Sequence, residues 1–344
     1  RVTRIATSRF GRDGLVGRTS DYATFYLNAT RILLHRLKAG DLLIAKTDPP
    51  LLSLCAGYAA KQRGATLVNW IQDLFPEVAT ALDLNPIRVA TPILQRLRNL
   101  TLQEAACNVV LGERMKERLL QARIEPDRIA VIPNWADGQL IRPIRPEENP
   151  LRAEWKLGDR FVVGYSGNMG RAHEFNTILG AAEKLKTSEG IVFLFIGGGA
   201  QRGWIEREAK RKRLTNILFQ PYQLKERLGL SLSVPDVHLI SLHPALEGLI
   251  VPSKFYGIAA AGRPTLFVGD PEGEIPRILR ETGSGYTILI GDSDCLANRI
   301  LELSLGGEIL NMGARARIAF DKQFDQEHAF AAWKHLLEKV SASA

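Results

Sequence analysis

Apolar positions along this chain come in short continuous runs, and each run is followed by a stretch with helical spacing. In the first part of the chain DLLIAKT (41–47), ATLVNWI (65–71), NVVLG (108–112) and RIAVIPN (128–134) predict strands. Residues 51–63, 88–107 and 113–123 predict the helices between them, and QDLFPE (72–77) a loop. After PNWADGQLIRPIRPEENP (133–150), which is rich in proline and charge and lacks periodicity, the rhythm restarts. FVVGYSG, IVFLFIG, NILFQ, VHLISL, PTLFVG and YTILI predict six more strands. NTILGAAEKLK, WIEREAKRKR, residues 253–262 and EIPRILRETG predict helices among them. Runs that are apolar throughout mark strands buried on both faces of a parallel sheet. The predicted class is therefore α/β. Two such series in tandem predict two facing Rossmann-like domains, with ligands at the carboxyl ends of the strands in the cleft between them.

The unperiodic stretch sets the expected boundaries: a first domain over 1–140, a linker over 141–150 and a second domain over 151–320. QEHAFAAWKHLLEKV (326–340) predicts a helix with Phe330, Trp333, Leu336, Leu337 and Val340 on one stripe. It fits neither series, so 321–344 is expected as a C-terminal helix able to cross back to the first domain.

Composition changes this picture little. The 344 residues are long enough for two cores, and 45% hydrophobic with 24% charged residues is ordinary for a globular protein. No run of 18 apolar residues predicts a membrane span; the best candidate, LLIAKTDPPLLSLCAGYAA, is broken by Lys46, Asp48 and two prolines. Cys55, Cys107 and Cys295 form neither a metal spacing nor a disulfide framework, which favours a reducing cytoplasm. Charge adds more. The chain carries +8, and residues 1–140 hold 19 Lys and Arg against 13 Asp and Glu. A basic first half suits an anionic partner, a phosphate-bearing ligand or an acidic membrane surface, and suits a solvated surface equally well.

Four stretches bear on the chemistry. YSGNMGRAHE follows a strand and opens a helix; Gly164, Gly167 and Gly170 allow close backbone approach, and Arg171 and His173 add donors, as a phosphate or nucleotide site requires. IGGGAQRG has the look of a dinucleotide turn, but the next strand ends in Gln220 where a nicotinamide site wants an acid. It is read as a tight strand-to-helix turn. In GDSDC, Asp292 and Asp294 are placed to cap a helix. The fourth stretch is LEGLIVPSKFYGIAAAGRP. Glu247 follows a buried strand, where a carboxylate needs hydrogen-bond donors such as sugar hydroxyls. Ser253 is placed to cap the next helix. Lys254 stands in its first turn, against the helix dipole, where a bound diphosphate would reverse the penalty. A Glu247–Lys254 surface ion pair is the plain alternative.

Taken together, VIPNWAD, YSGNMGRAHEF and LEGLIVPSKFYGIAAAGRP resemble the retaining family 4 glycosyltransferases of GT-B fold, in the branch that builds bacterial O-antigen, capsule or exopolysaccharide. The resemblance covers nearly the whole chain. It implies that Glu247 and Gly248 hold the donor sugar. It implies a donor and nucleotide site that also takes in Gly167, Asn168, Arg171, His173, Gly198, Tyr222, Ser253 and Lys254. The place of the family's second glutamate falls on Gly257, and Asn168 and His173 stand where the family has a basic pair, which leaves the diphosphate to Arg171 and Lys254. In NWIQDLFPE, Asp73 is implied as a catalytic acid and Glu77 as an acceptor-side acid, with helix capping an equal reading for Asp73. Neither a metal nor another cofactor is implied. Family members carry a first strand and glycine loop not found here, so further elements are expected ahead of residue 1.

The expected function is transfer of a sugar, with retention, from a nucleotide sugar, a UDP-sugar by preference, to a lipid-linked or saccharide acceptor. Its rivals are a sugar-nucleotide 2-epimerase of the same fold and a non-catalytic nucleotide-sugar-binding protein. The expected location is cytoplasmic, peripheral to the inner face of the cell membrane, with no nucleic-acid partner. Two basic and apolar clusters are expected to rest on anionic lipid. One joins Arg1, Arg4, Arg9, Arg12 and Arg18 with Phe10 and Leu15; the other joins Arg88, Arg96 and Arg98 with Ile87, Val89, Ile93, Leu94 and Leu97.

Overall fold

The computed structural model describes residues 2–8, 10–11, 15–83 and 89–342. Arg1, Arg9, Arg12, Ile87 and Arg88, with the side chains of Leu15 and Arg18, lie outside the described residues. The chain forms two compact units. The first is Arg1–Ile132 with Gly248–Ile250 and Ala332–Ala344; the second is Pro133–Glu247 with Val251–Ala331.

The first unit holds a parallel sheet of β1 (Leu42–Lys46), β2 (Thr66–Trp70), β3 (Cys107–Val110) and β4 (Ile129–Val131), in that order. Helices Leu52–Arg63, Thr91–Glu104 and Glu113–Gln121 fall between the strands as the spacing predicts. A 22-residue helix, Leu15–Arg36, precedes them and was not foreseen; its apolar and polar residues are too mixed to give a clear stripe. Within this unit Trp333 of the last helix, Gln326–Ala342, meets Trp70 edge to face at 5.2 Å.

The second unit holds β5 (Phe161–Asn168), β6 (Ile191–Gly198), β7 (Ile217–Gln220), β8 (Val237–Ser241), β9 (Thr265–Val268) and β10 (Gly285–Ile288), all parallel. Their order is β10-β9-β8-β5-β6-β7. The chain winds outward from β5 in one direction and from β8 in the other, so the β5/β8 border is the topological switch point where open α/β sheets bind ligands. The uniformly apolar β6 is buried along its first seven residues because helices cover both faces. Tyr165, Phe175, Phe193 and Phe195 fill the core beneath the β5 and β6 ends.

Two expectations are corrected here. The boundary expected at 141–150 lies earlier, between Ile132 and Pro133. The proline-rich stretch is tied into the second unit: the Ile144 carbonyl accepts from Arg263, the Ile141 carbonyl from Arg317, and Asn149 donates to Leu230. Arg98 also leaves the expected membrane cluster. It is 8% exposed and donates twice to the Glu77 carboxylate, at 2.7 and 2.8 Å. Arg96, Val89, Ile93 and Leu97 do stay exposed, whereas Leu94 is half-buried.

Candidate active site

In the second unit, β5 closes on Gly167 and Asn168, and β6 on Gly197 and Gly198, which are their register partners. The approach is close. At Gly197, with φ of +129°, a Cβ would fall 2.2 Å from the Gly167 carbonyl oxygen and 3.2 Å from the Tyr222 ring, so only glycine fits. Tyr222 covers Gly197 and Gly198, donates its hydroxyl to the Gly198 carbonyl at 3.2 Å, and keeps 60% of its surface exposed. An exposed ring beside a glycine turn is suited to stack on a planar base.

Lys254 reaches this turn from the start of helix Lys254–Ala260. Its Nζ lies 2.5 Å from the Tyr165 hydroxyl and 4.0 Å from the centre of that ring. Part of the side chain stays accessible, but the charged end is buried, and burial pulls the ammonium from 10.5 down to about 7. Arg171 is exposed and makes no ion pair among the described residues. His173 sets its Nδ1 2.5 Å from the Ser241 carbonyl, which can only accept, so the neutral ring carries its proton there. Burial first, then the Lys254 charge, lowers its pKa to about 3. It is uncharged at neutral pH.

Glu247 follows β8 and is 9% exposed. Its Oε2 accepts from the Glu274 backbone N–H at 3.3 Å, at the head of helix Glu274–Thr282. Gly273 makes room for it: a Cβ there would fall 2.4 Å from Oε1.

The first unit holds the remaining residues. Gly248, at φ +74°, leaves no space for a Cβ beside the Arg114 carbonyl, 2.9 Å away. Asp73 pairs with Ile250 in an isolated antiparallel bridge, and Leu74 N–H donates to the Leu249 carbonyl at 2.9 Å. Asp73 is exposed, yet surrounding protein and then the Asp48 carboxylate raise its pKa, against a smaller opposing effect of Lys46.

No protein-family model matches the chain. The structure of HepE from Anabaena, solved with UDP-glucose, superposes with a TM-score of 0.73 at 16% identity, over 96% of this chain and 84% of that one. At that identity the match shows the shared fold, two Rossmann-like domains of GT-B type. WbjE of Pseudomonas aeruginosa, which carries the name of a glycosyltransferase, is 32% identical over 285 residues, 80% of this chain and 70% of WbjE. This chain belongs to the GT-B glycosyltransferases related to WbjE. WcaI of Escherichia coli K12, a glycosyl transferase named for colanic acid biosynthesis, is 23% identical over 182 residues, 52% of this chain and 44% of WcaI.

Within the transferase several expected roles change. Lys254 forms no ion pair with Glu247; its nitrogen is taken by Tyr165, and the Glu247 carboxylate faces Gly273 and Glu274. Ser253 occupies the cap position but makes no capping hydrogen bond. Its φ and ψ of −64° and −20° are already helical, whereas a capping side chain needs an extended backbone. The expected acceptor-side acid, Glu77, is committed to Arg98 and to Gln95 at 2.9 Å, so it ties its helix to Thr91–Glu104. Asp73 is not a helix cap, since helix Glu77–Ala81 starts at Pro76 without a side-chain cap. Gly257, where the family's second glutamate would stand, packs toward Leu232 and Ile141. Asp292 caps helix Ser293–Leu305 by accepting from Cys295 N–H at 2.9 Å, as expected.

The sequence reading missed three residues. Gln201 donates to the Gly170 and His173 carbonyls at 2.7 and 2.8 Å, and Arg202 donates to the Gly197 carbonyl. Both lie in IGGGAQRG, so the glycine turn itself was the available signal. Tyr165 lies in YSGNMG, and nothing local marks it.

Asp73 gives a test with a definite sign. A carboxyl pKa raised in the fold means the native state holds the proton more tightly, so stability falls as pH rises from 3.8 through the folded value. At neutral pH the charge opposes folding, though only weakly, because solvent screens an exposed carboxylate. Asp73→Asn should therefore raise Tm slightly at pH 7 while lowering transfer about 100-fold, the lower end of what a positioned acid or base contributes. Steady-state transfer and calorimetry check both; a joint loss of stability and activity would assign Asp73 a structural role instead.

Proposed function

We propose that this transferase moves a sugar, with retention, from a UDP-sugar to a lipid-linked acceptor in bacterial surface-polysaccharide synthesis. The observation that carries the reading is Lys254: a buried ammonium beside the glycine turn, with no carboxylate ion-paired to it among the described residues. A diphosphate supplies the missing negative charge. Arg171 is free to meet its outer oxygens, and the Tyr222 face is suited to the uracil. Glu247 receives the sugar hydroxyls, and the first unit contributes Asp73 as a catalytic acid or base. Catalysis rests on holding the reactants in line and on stabilising an oxocarbenium-like sugar and the departing diphosphate. The HepE complex with UDP-glucose supports a UDP-sugar as donor, and the name of WcaI supports the polysaccharide context.

The reaction is proposed to need no metal, which is in keeping with Asp292 serving its helix; chelation should leave turnover unchanged. The acceptor is proposed to be met at the inner membrane face. Exposed Ile93, Leu97 and Leu100 beside Arg96 on one helix support this, and no helix among the described residues is long and apolar enough to cross a membrane. Sedimentation with anionic vesicles at low salt tests it, and a protein left wholly in the supernatant contradicts it.

The deciding experiment is a nucleotide-sugar panel read by thermal shift, followed by UDP release with and without a lipid-linked acceptor. A ligand at 100 times its Kd adds about 2.7 kcal/mol to stability. Release that requires acceptor, with the donor's anomeric configuration kept in the product, supports transfer with retention. Acceptor-independent conversion of the nucleotide sugar to its 2-epimer, without net UDP release, identifies the epimerase, and binding without turnover identifies a binding protein.

A further inference from the structure

Tyr165 is fully buried near the end of β5, 89 residues from Lys254 in sequence. Its hydroxyl donates to the Asn168 carbonyl at 3.0 Å, so its lone pairs are left for a donor, and Lys254 Nζ occupies that place at 2.5 Å. The same nitrogen stands over the ring. One phenol thus joins the glycine turn to the ammonium by a continuous chain of carbonyl, hydroxyl and ammonium. Phe175, Phe195 and His173 pack around the ring and fix its direction.

We propose that Tyr165 is a positioning residue of the donor site: its hydroxyl aims Lys254 at the glycine turn before the nucleoside diphosphate arrives. The inference rests on the reading that Lys254 meets the diphosphate. A lysine stem has four rotatable bonds and is costly to order on binding. Holding it in advance moves that cost from binding to folding. The hydroxyl also stabilises the charged form of an amine that burial otherwise drives toward neutrality.

The other titratable groups facing this nitrogen are the Tyr165 phenol on β5, His173 in the loop after it and His238 on β8. The phenol is raised well above 10.0 by burial, and the two imidazoles are lowered to about 3 and about 4, chiefly by burial. Lys254 is therefore the group of this cluster that changes charge between pH 6 and 9. Its protonated form binds diphosphate, so the lysine's contribution to UDP affinity is largest well below pH 7 and falls as pH rises through about 7.

The test compares wild type, Tyr165→Phe and Lys254→Met for UDP and uridine binding by calorimetry from pH 6 to 9, with Tm recorded for each. Tyr165→Phe keeps the ring and removes the hydroxyl. It is expected to weaken UDP binding about 10-fold at pH 8, to leave uridine within about twofold, and to move the midpoint of the pH profile downward. A UDP affinity and midpoint equal to wild type overturn the proposal, as do equal losses for UDP and uridine at every pH, the mark of packing alone. If Lys254→Met binds UDP like wild type, the parent reading of Lys254 fails. If Lys254→Met is impaired and Tyr165→Phe is not, the failure belongs to this inference alone. In the wild-type protein, the Tyr165 Cζ carbon resonance should follow the Lys254 titration near pH 7 and lose that step in Lys254→Met. A flat resonance from pH 6 to 9 contradicts the proposal without any variant at position 165.

Discussion

Glu247→Gln should lower sugar transfer about 100-fold while changing UDP affinity by less than about threefold, because loss of one preorganised charged contact to the reacting group typically costs 10²–10³ in turnover. Gln keeps an oxygen that can accept from Glu274 N–H, so the helix retains a capping partner. What it loses is the negative charge that sugar hydroxyls would meet. The competing account is that Glu247 serves only the head of helix Glu274–Thr282, where it already receives one backbone N–H. A carboxylate there is worth about 0.3–1 kcal/mol through the helix dipole. That account predicts a small fall in Tm and near-normal transfer below it. Gly273→Ala separates the two further. Its methyl would lie 2.4 Å from Oε1, so the carboxylate must move although every charge is kept. A misplacement on the order of 1 Å can cost about 100-fold. If both variants transfer sugar at the wild-type rate, Glu247 is a cap and nothing more.

Lys254→Ala should weaken UDP binding by about 10- to 150-fold, the equivalent of roughly 1.5–3 kcal/mol for a hydrogen bond to a charged group, and should leave uridine nearly unaffected. Stability should move the other way. The lysine's folded pKa of about 7 lies below its ordinary 10.5, so the unfolded chain binds the extra proton between these values. The fold therefore gains stability as pH rises from about 7 to 10.5, and below about 7 it carries the full cost of the buried charge. Removing the amine lifts that cost, so Tm at pH 6 should rise in Lys254→Ala even as UDP affinity falls. The affinity gap should also narrow above pH 8, where the wild-type amine is largely neutral. Equal losses for UDP and uridine, or a fall in Tm at pH 6, would assign Lys254 to the fold.

The ten strands described coincide with apolar runs in the sequence. The inner strands β2, β3, β5, β6, β8 and β9 are largely buried, and a strand buried on both faces needs apolar residues at nearly every position and so marks itself locally. The edge strands β1, β4, β7 and β10 carry such runs although partly exposed. The order of strands and helices then places Gly167, Gly198 and Glu247 at carboxyl ends, which is where a parallel sheet presents ligands. Asp292 as a cap was legible for the same reason, since its partner Cys295 N–H is three residues away. The long helix Leu15–Arg36 was not legible, as it lacks a sharp apolar face.

By itself, then, the sequence determined what depends on near neighbours: the α/β rhythm, the two series, the glycine turns and the acids and bases beside them. The tertiary structure decided which group each charge meets. Glu77 and Arg98 are 21 residues apart, and their pairing removes one from the acceptor side and the other from the membrane face. Lys254 and Glu247 look like natural partners seven residues apart, yet the ammonium goes to a tyrosine 89 residues away and the carboxylate to a backbone N–H 27 residues on. Ser253 looks like a cap until its backbone is seen to be helical. The physical reason is common to the first two: hydrogen bonds and ion pairs form between groups close in space, and spacing along the chain reports closeness only within one element. For Ser253 it is the backbone conformation that the packed structure fixes. The charge state follows from that placement, since desolvation, which sets the pKa values of Lys254, His173 and Asp73, exists only once the chain has folded around them.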